Sequence, residues 1–176
     1  HAQTRGNAGS TDWYLGLNAG SRDDYDSGLG NRMLNTGWKR RGASGAFGWQ
    51  VNELNRLDLN VRVDGIHDAG FRGSGANYTS KDDRYNGSVD LVYDGNLANN
   101  RVGWMAHVYH FRDVDQFNWA SRVVRSGTQP VPGTSRDYNH RQLGASGLRL
   151  QTRLGLTDTN HLLVGYDGEH SRLRSD

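Results

Sequence analysis

Residues 56–63 read Arg56-Leu57-Asp58-Leu59-Asn60-Val61-Arg62-Val63. Leu57, Leu59, Val61 and Val63 alternate with Arg56, Asp58, Asn60 and Arg62. Side chains of a β-strand point to opposite faces with a period of two, so this is a strand with one apolar and one charged face. A helix would scatter the four aliphatic residues around its circumference.

The pattern recurs along the chain. Trp13, Leu15, Leu17 and Ala19 share a face opposite Asp12, Tyr14, Gly16 and Asn18. Ala43, Gly45, Phe47, Trp49 and Val51 form a looser version. Tyr85, Gly87, Val89, Leu91 and Tyr93 oppose Asn86, Ser88, Asp90 and Asp94. Val102, Trp104, Ala106 and Val108 oppose Gly103, Met105, His107 and Tyr109. Leu148, Leu150, Thr152 and Leu154 oppose Arg149, Gln151 and Arg153, and a last strand carries Leu162, Val164 and Tyr166. The count is about seven strands, each near the ~9–11 residues that cross a bilayer when tilted.

Connections alternate in length. Short ones fall at 52–55, 95–100 and 155–160, long ones at 22–37, 67–83 and 114–136. Pro130 and Pro132 both fall in the third long connection, where a missing N–H costs no ladder bond. Short turns on one side and long loops on the other is the layout of a transmembrane β-barrel, with the short side periplasmic. Trp13, Trp49, Tyr93 and Trp104 lie near the short-turn ends and Trp38 near a long-loop end, as an aromatic girdle at both edges of an apolar band predicts.

Composition narrows the classes. Only 34% of the 176 residues are apolar, yet 10% are aromatic and two are proline, which argues for one-sided strands over disorder. The net charge of +2 comes from interspersed signs, so no nucleic-acid partner is expected. There is no cysteine, hence no disulfide framework and no thiolate metal site. No run approaches the ~20 apolar residues of a membrane helix. A soluble sandwich or lipocalin-like barrel would use the same alternation with its apolar face inward. Full charges on nearly every polar face and the regular short–long alternation favour the membrane barrel. An odd strand number and a polar C-terminal segment predict a partial barrel domain over residues 1–176, with further strands in a longer protein.

The stretches NELNRLDLNVRVDGIHDAGFRGSG (52–75) and LGLTDTNHLLVGYDGEHSR (154–172) resemble the barrel of TonB-dependent outer-membrane receptors. The resemblance covers nearly all of the chain through soft patterns of turn and strand. It implies an all-β, antiparallel transmembrane barrel, a segment of a 22-stranded wall with a plugged lumen. It further implies an outer-membrane location in a Gram-negative bacterium and active uptake of a scarce nutrient, foremost an iron–siderophore complex, with haem or cobalamin as other ligands. The implied partners are outer-membrane lipid, the metal chelate and the TonB complex. No plug domain and no TonB box are legible in these residues, so TonB would be reached through regions outside the chain. The alternative is a small outer-membrane barrel or adhesin-type protein that binds surfaces without transport.

No catalytic motif is present: no G-x-S-x-G, no Walker loop, no H-E-x-x-H. The chain is read as a non-enzyme without a bound cofactor. Asp23, Asp24 and Asp26 cluster beside Gly28, but the spacing misses the calcium-loop pattern, which leaves a solvated acidic tip. His107, Tyr109 and His110 are types that ligate haem iron, yet period two sends His110 to the face opposite the other two. The long loops supply the binding candidates: Arg72, Tyr78, Lys81, Arg84, Trp119, Arg122 and Arg125, with Phe117 beside them. Basic groups attract anionic chelates and aromatic rings stack on them.

Overall fold

The computed structural model describes residues 1–70, 80–98, 100–123 and 131–176, giving the backbone course alone for 119–123 and 131–137. Arg72, Tyr78 and Arg125 lie outside the described residues. The strands are β1 (Ala2–Ala8), β2 (Thr11–Arg22), β3 (Trp38–Asn52), β4 (Asn55–Gly70), β5 (Lys81–Asn96), β6 (Val102–Val123), β7 (Val131–Gly155) and β8 (His161–Ser175). They form one antiparallel meander in sequence order, with β1 and β8 at its two edges. The all-β expectation holds, and the sheet is open.

The strand count is eight, one more than the sequence suggests. β1 reads AQTRGNA, and its side toward Leu15 and Leu17 carries only Ala2, Thr4, Gly6 and Ala8. Such small residues give too faint an alternation to register as a strand. A two-residue turn joins it to β2, closed by Thr11 Oγ1 donating to the Ala8 carbonyl at 2.9 Å.

The third long connection is also corrected. Residues 114–136 are not one loop: β6 and β7 continue as a paired hairpin until only 124–130 remain between them. Their 22 and 25 residues far exceed what an apolar band requires. Here the backbone ladder supplies the order, so the stretch lacks the apolar alternation that marks the lower strands.

Register aligns the apolar residues across the sheet. One row runs Trp49, Leu57, Tyr93, Ala106, Leu150, Tyr166. Another starts at Leu17 and passes Ala43, Val63 and Gly87, but then reaches Arg112, Gly144 and Arg172. The apolar band therefore slants across the register. Its centre lies between Leu15 and Leu17 on β2 and at Val164 on β8, a shift of about seven residues over six strand steps. At ~3.4 Å per residue and ~4.8 Å between strands, that slope is about 40°. Barrel strands tilt by ~35–45° from the axis, so a level band on a tilted wall must cross the register at this angle.

Trp13, Trp49, Tyr93 and Trp104 follow the slant along the short-turn edge of the band. Trp38 does not belong to the girdle. It pairs with Arg22 and lies over Gly20, 3.7 Å from where a Cβ would stand, which places it on the polar face. Tyr85 marks the long-connection edge of the band on β5.

No packed core underlies this sheet. Among the described residues the one buried apolar side chain is Ala145, while Leu17, Val63 and Val108 are each more than half exposed. An apolar face this continuous needs an apolar phase against it.

The turns are built locally. Asn52 Oδ1 accepts from the Leu54 amide at 2.9 Å and from Asn55 Nδ2 at 2.8 Å, an Asx-type turn that holds β3 against β4. On the opposite side, the connection 23–37 folds on itself: the backbones of Asp26 and Arg32 form an isolated antiparallel β-bridge, and the Met33 amide donates to the Tyr25 carbonyl at 2.8 Å. Asn35 is buried and donates to the Ser80 carbonyl at 2.8 Å, which ties this connection to the start of β5.

Candidate functional site

The polar face carries the chemistry. Because opposite residues of an antiparallel pair point the same way, it collects Asp12, Asp58, Asp90, His107, Tyr109, Arg149, Asp167 and Glu169 from six strands. Near its short-turn end, Arg56 donates to both oxygens of Asp58 at 2.9 Å and to Asp12 across β3 at 2.9 and 3.1 Å. The guanidinium crosses β3 over Gly48, where any Cβ would collide with it. Arg149 pairs with Asp167 at 2.7 Å, and Arg40 with Asp64 at 3.1 Å.

His107 Nε2 lies 2.9 Å from Asp90 Oδ1. Its ring is 5.2 Å from that of Tyr109, tilted by 39°. Tyr109 donates to Glu169 at 2.7 Å across β7, over Gly147. His110 is on the opposite face, 2.8 Å from Ser146 Oγ. The period-two expectation for these three residues holds. His107 and Tyr109 are both engaged by carboxylates, which suits a hydrogen-bonding wall.

Toward the long connections the same face holds a four-residue cluster. Arg84 lies 3.1 Å from Asp82 and 3.7 Å from Asp115, and Arg141 pairs with Asp115. Burial and the neighbouring Asp115 carboxyl push Asp82 above the ordinary carboxylate range. Burial also acts to raise Asp115, but hydrogen bonds from Asp82 and Arg141 outweigh it and hold Asp115 low. Two neighbouring carboxyls whose folded values are driven apart, flanked by two guanidiniums, make up the cluster.

Of the sequence candidates, Arg84 belongs to this cluster, and Phe117 is register partner to Asp82 on the same face. Lys81 does not join them. It stands on the apolar side of β5, with Nζ 3.3 Å from the Asp68 carbonyl. Trp119 and Arg122 are strand residues of β6, not loop residues. Asp115 and Arg141 were not among the candidates, because register alone brings them to Arg84 and no spacing in the sequence encodes it; Asp82, two residues before Arg84 on the same strand, could have been found by period two. Among the described residues no cluster of His and carboxylate side chains forms a metal site. The acidic tip is used structurally: Asp24 Oδ1 accepts from the amides of Thr36 at 2.7 Å and Gly37 at 3.0 Å. These bonds, Thr36 foremost, hold its carboxyl below the ordinary range.

A stretch of 40 residues is 42% identical to the Heme/hemopexin utilization protein C of Haemophilus influenzae (strain 86-028NP). The similarity covers 23% of this chain and 6% of that protein. No family model and no solved structure matches the chain. The chain is thus similar, over a short part, to a protein named for the use of haem.

Proposed function

We propose that this chain is part of the barrel wall of an outer-membrane receptor of the TonB-dependent kind, which takes up an iron chelate. One observation carries the reading: an exposed apolar band slanting at about 40° across the register, backed by a face of paired charges. That combination fits a tilted barrel wall with lipid outside and a wet, filled lumen inside. Paired arginines and carboxylates along the polar face suit a wall that packs against a polar plug.

Among iron chelates, haem gains the strongest support, from the name of the similar protein, ahead of a siderophore or cobalamin. The Arg84 and Arg141 cluster at the long-connection end presents cations where an anionic chelate would enter. The test is growth of the source bacterium with and without the gene that encodes this chain, on haem, a ferric siderophore or cobalamin as the limiting nutrient. The expected result is loss of growth on haem alone. Unchanged growth on all of them would overturn the uptake reading.

A further inference from the structure

Charge is distributed unequally between the two faces. On the polar face acids and bases are mixed and largely paired. On the apolar side the described strand side chains carry Lys39, Arg41, Lys81, Arg112, Arg172 and Arg174. The carboxylates on that side are Asp83 and, in the β4 bulge, Asp68, which pairs with Lys39 at 3.0 Å. Arg41, Arg112, Arg172 and Arg174 have no carboxylate partner among the described residues; Arg112 donates to Gln142 at 3.1 Å.

All six cations lie on the long-connection side of the band. Among the described strand side chains the short-turn side of this face carries none: its outermost positions are Val51, Val102, Leu154 and Leu162, and Arg101 stands in the turn itself. Desolvation alone does not account for this, since cations at either edge of a band could reach water.

Arg41 and Arg112 also flank a groove of about 750 Å³ on the apolar side. Its floor is small at Ala43, Gly65 and Gly87, and Leu17 and Val63 wall it. Arg112 and Arg172 face each other across Gly144, two strand spacings or about 10 Å apart. An apolar trough that ends in guanidiniums without a carboxylate partner matches an acyl chain joined to a phosphate. Arginine binds phosphate by two parallel charge-assisted hydrogen bonds.

We propose that this outward groove and its arginines bind a lipid of the long-connection leaflet that bears more than one phosphate. The proposal rests on the membrane reading above and adds a lipid site on the outer wall. The positive charge complements the phosphates, and the groove takes an acyl chain beside them.

The test uses the full-length protein in detergent, with bound lipid counted by native mass spectrometry. The probes are diphosphoryl lipid A, monophosphoryl lipid A and phosphatidylethanolamine. Retention should fall in that order. Arg41→Gln with Arg112→Gln should weaken diphosphoryl lipid A by about tenfold or more, since each lost charge-assisted bond costs that order of affinity. The Lys pair at the same positions should restore most of it, and Arg62→Gln, on the polar face, should leave it unchanged. Equal retention of phosphatidylethanolamine, equal loss in Arg62→Gln, or no loss in the Gln pair overturns the site. Displacement of the lipid by millimolar inorganic phosphate would assign the arginines to free phosphate and overturn the lipid. A protein that stays in solution without detergent would instead fail the membrane reading beneath.

Discussion

Tyr109 on β6 and Glu169 on β8 meet across an intervening strand: the phenol donates to the carboxylate at 2.7 Å over Gly147 of β7. Register places Tyr109, Gly147 and Glu169 in one row of the polar face. The bond skips a strand because the middle position has no side chain, so a long residue can lie flat across it.

Gly147→Val should therefore break this row. A Cβ at 147 would enter the Tyr109 ring, so the phenol must lift from the wall and leave Glu169. Overpacking of this kind costs ~1–3 kcal/mol. Unfolding by urea in detergent should show that loss, while Tyr109→Phe should lose only the hydrogen bond, ~0.5–1.5 kcal/mol. If Gly147→Val costs no more than Tyr109→Phe, the close approach does not exist in solution.

Facing is tested one residue apart. Val61 and Asn60 adjoin on β4, with Val61 opposite Gly45 and Val89 on the apolar side and Asn60 opposite Ala46 and Asp90 on the polar side. Val61→Arg sets a charge in mid-band and should cost ~2–4 kcal/mol. Asn60→Arg gains Asp90 as a neighbour and should insert normally. Heat-modifiable migration of the barrel on gels reads both, and equal behaviour would refute the assignment of faces.

The facing was legible in the sequence because period two is a local property. From residues 56–63 the apolar and polar sides of β4 follow at once, and the same holds for His107, Tyr109 and His110. Register is not local. Nothing near Arg84 announces Asp115 or Arg141, thirty or more residues on, since pairing depends on turn lengths that soft loop sequences leave open. β1 escaped notice for a different reason: its outward side is small because it lies beside Trp13, whose ring covers Gly6. The β6–β7 extension reads as a loop because its sequence lacks the apolar alternation of the lower strands, and pairing through register leaves no local signal.

Asp82 and Asp115 give a pH window. Asp82 is raised by burial and by its acidic neighbour, so its share of stability is full at low pH and is lost as pH rises through its folded pKa. Asp115 is held low, so its share is present above the ordinary carboxylate value and is lost as pH falls through its own. The cluster is most stable between the two, with one proton on the pair. Asp82→Asn imitates the protonated partner, keeps a donor toward Asp115 and removes the upper limb. Hydrogen exchange of the β5–β6 amides should then stay slow as pH rises through the folded pKa of Asp82, where the native pair loosens. Faster exchange in Asp82→Asn than in the native protein across that range would show that Asp82 works as an ionised partner of Arg84.

Asp24 makes the opposite prediction for the connection 23–37. Its carboxyl is held low by the Thr36 amide first and by those of Gly37 and Asn35 after it, with Arg32 adding a favourable charge. A lowered folded pKa contributes stability that is complete above the unfolded value of ~3.9 and disappears as pH falls through the folded one. The connection should thus keep its shape at neutral and mildly acidic pH. Asp24→Ala strips the acceptor from two amides at once and should raise exchange at Thr36 and Gly37 severalfold at neutral pH. Asp24→Asn retains an acceptor without the charge and should fall between. Because Asn35 ties this connection to Ser80, loosening in Asp24→Ala should extend to the first amides of β5. Exchange confined to Thr36 and Gly37 would show that the two connections are independent.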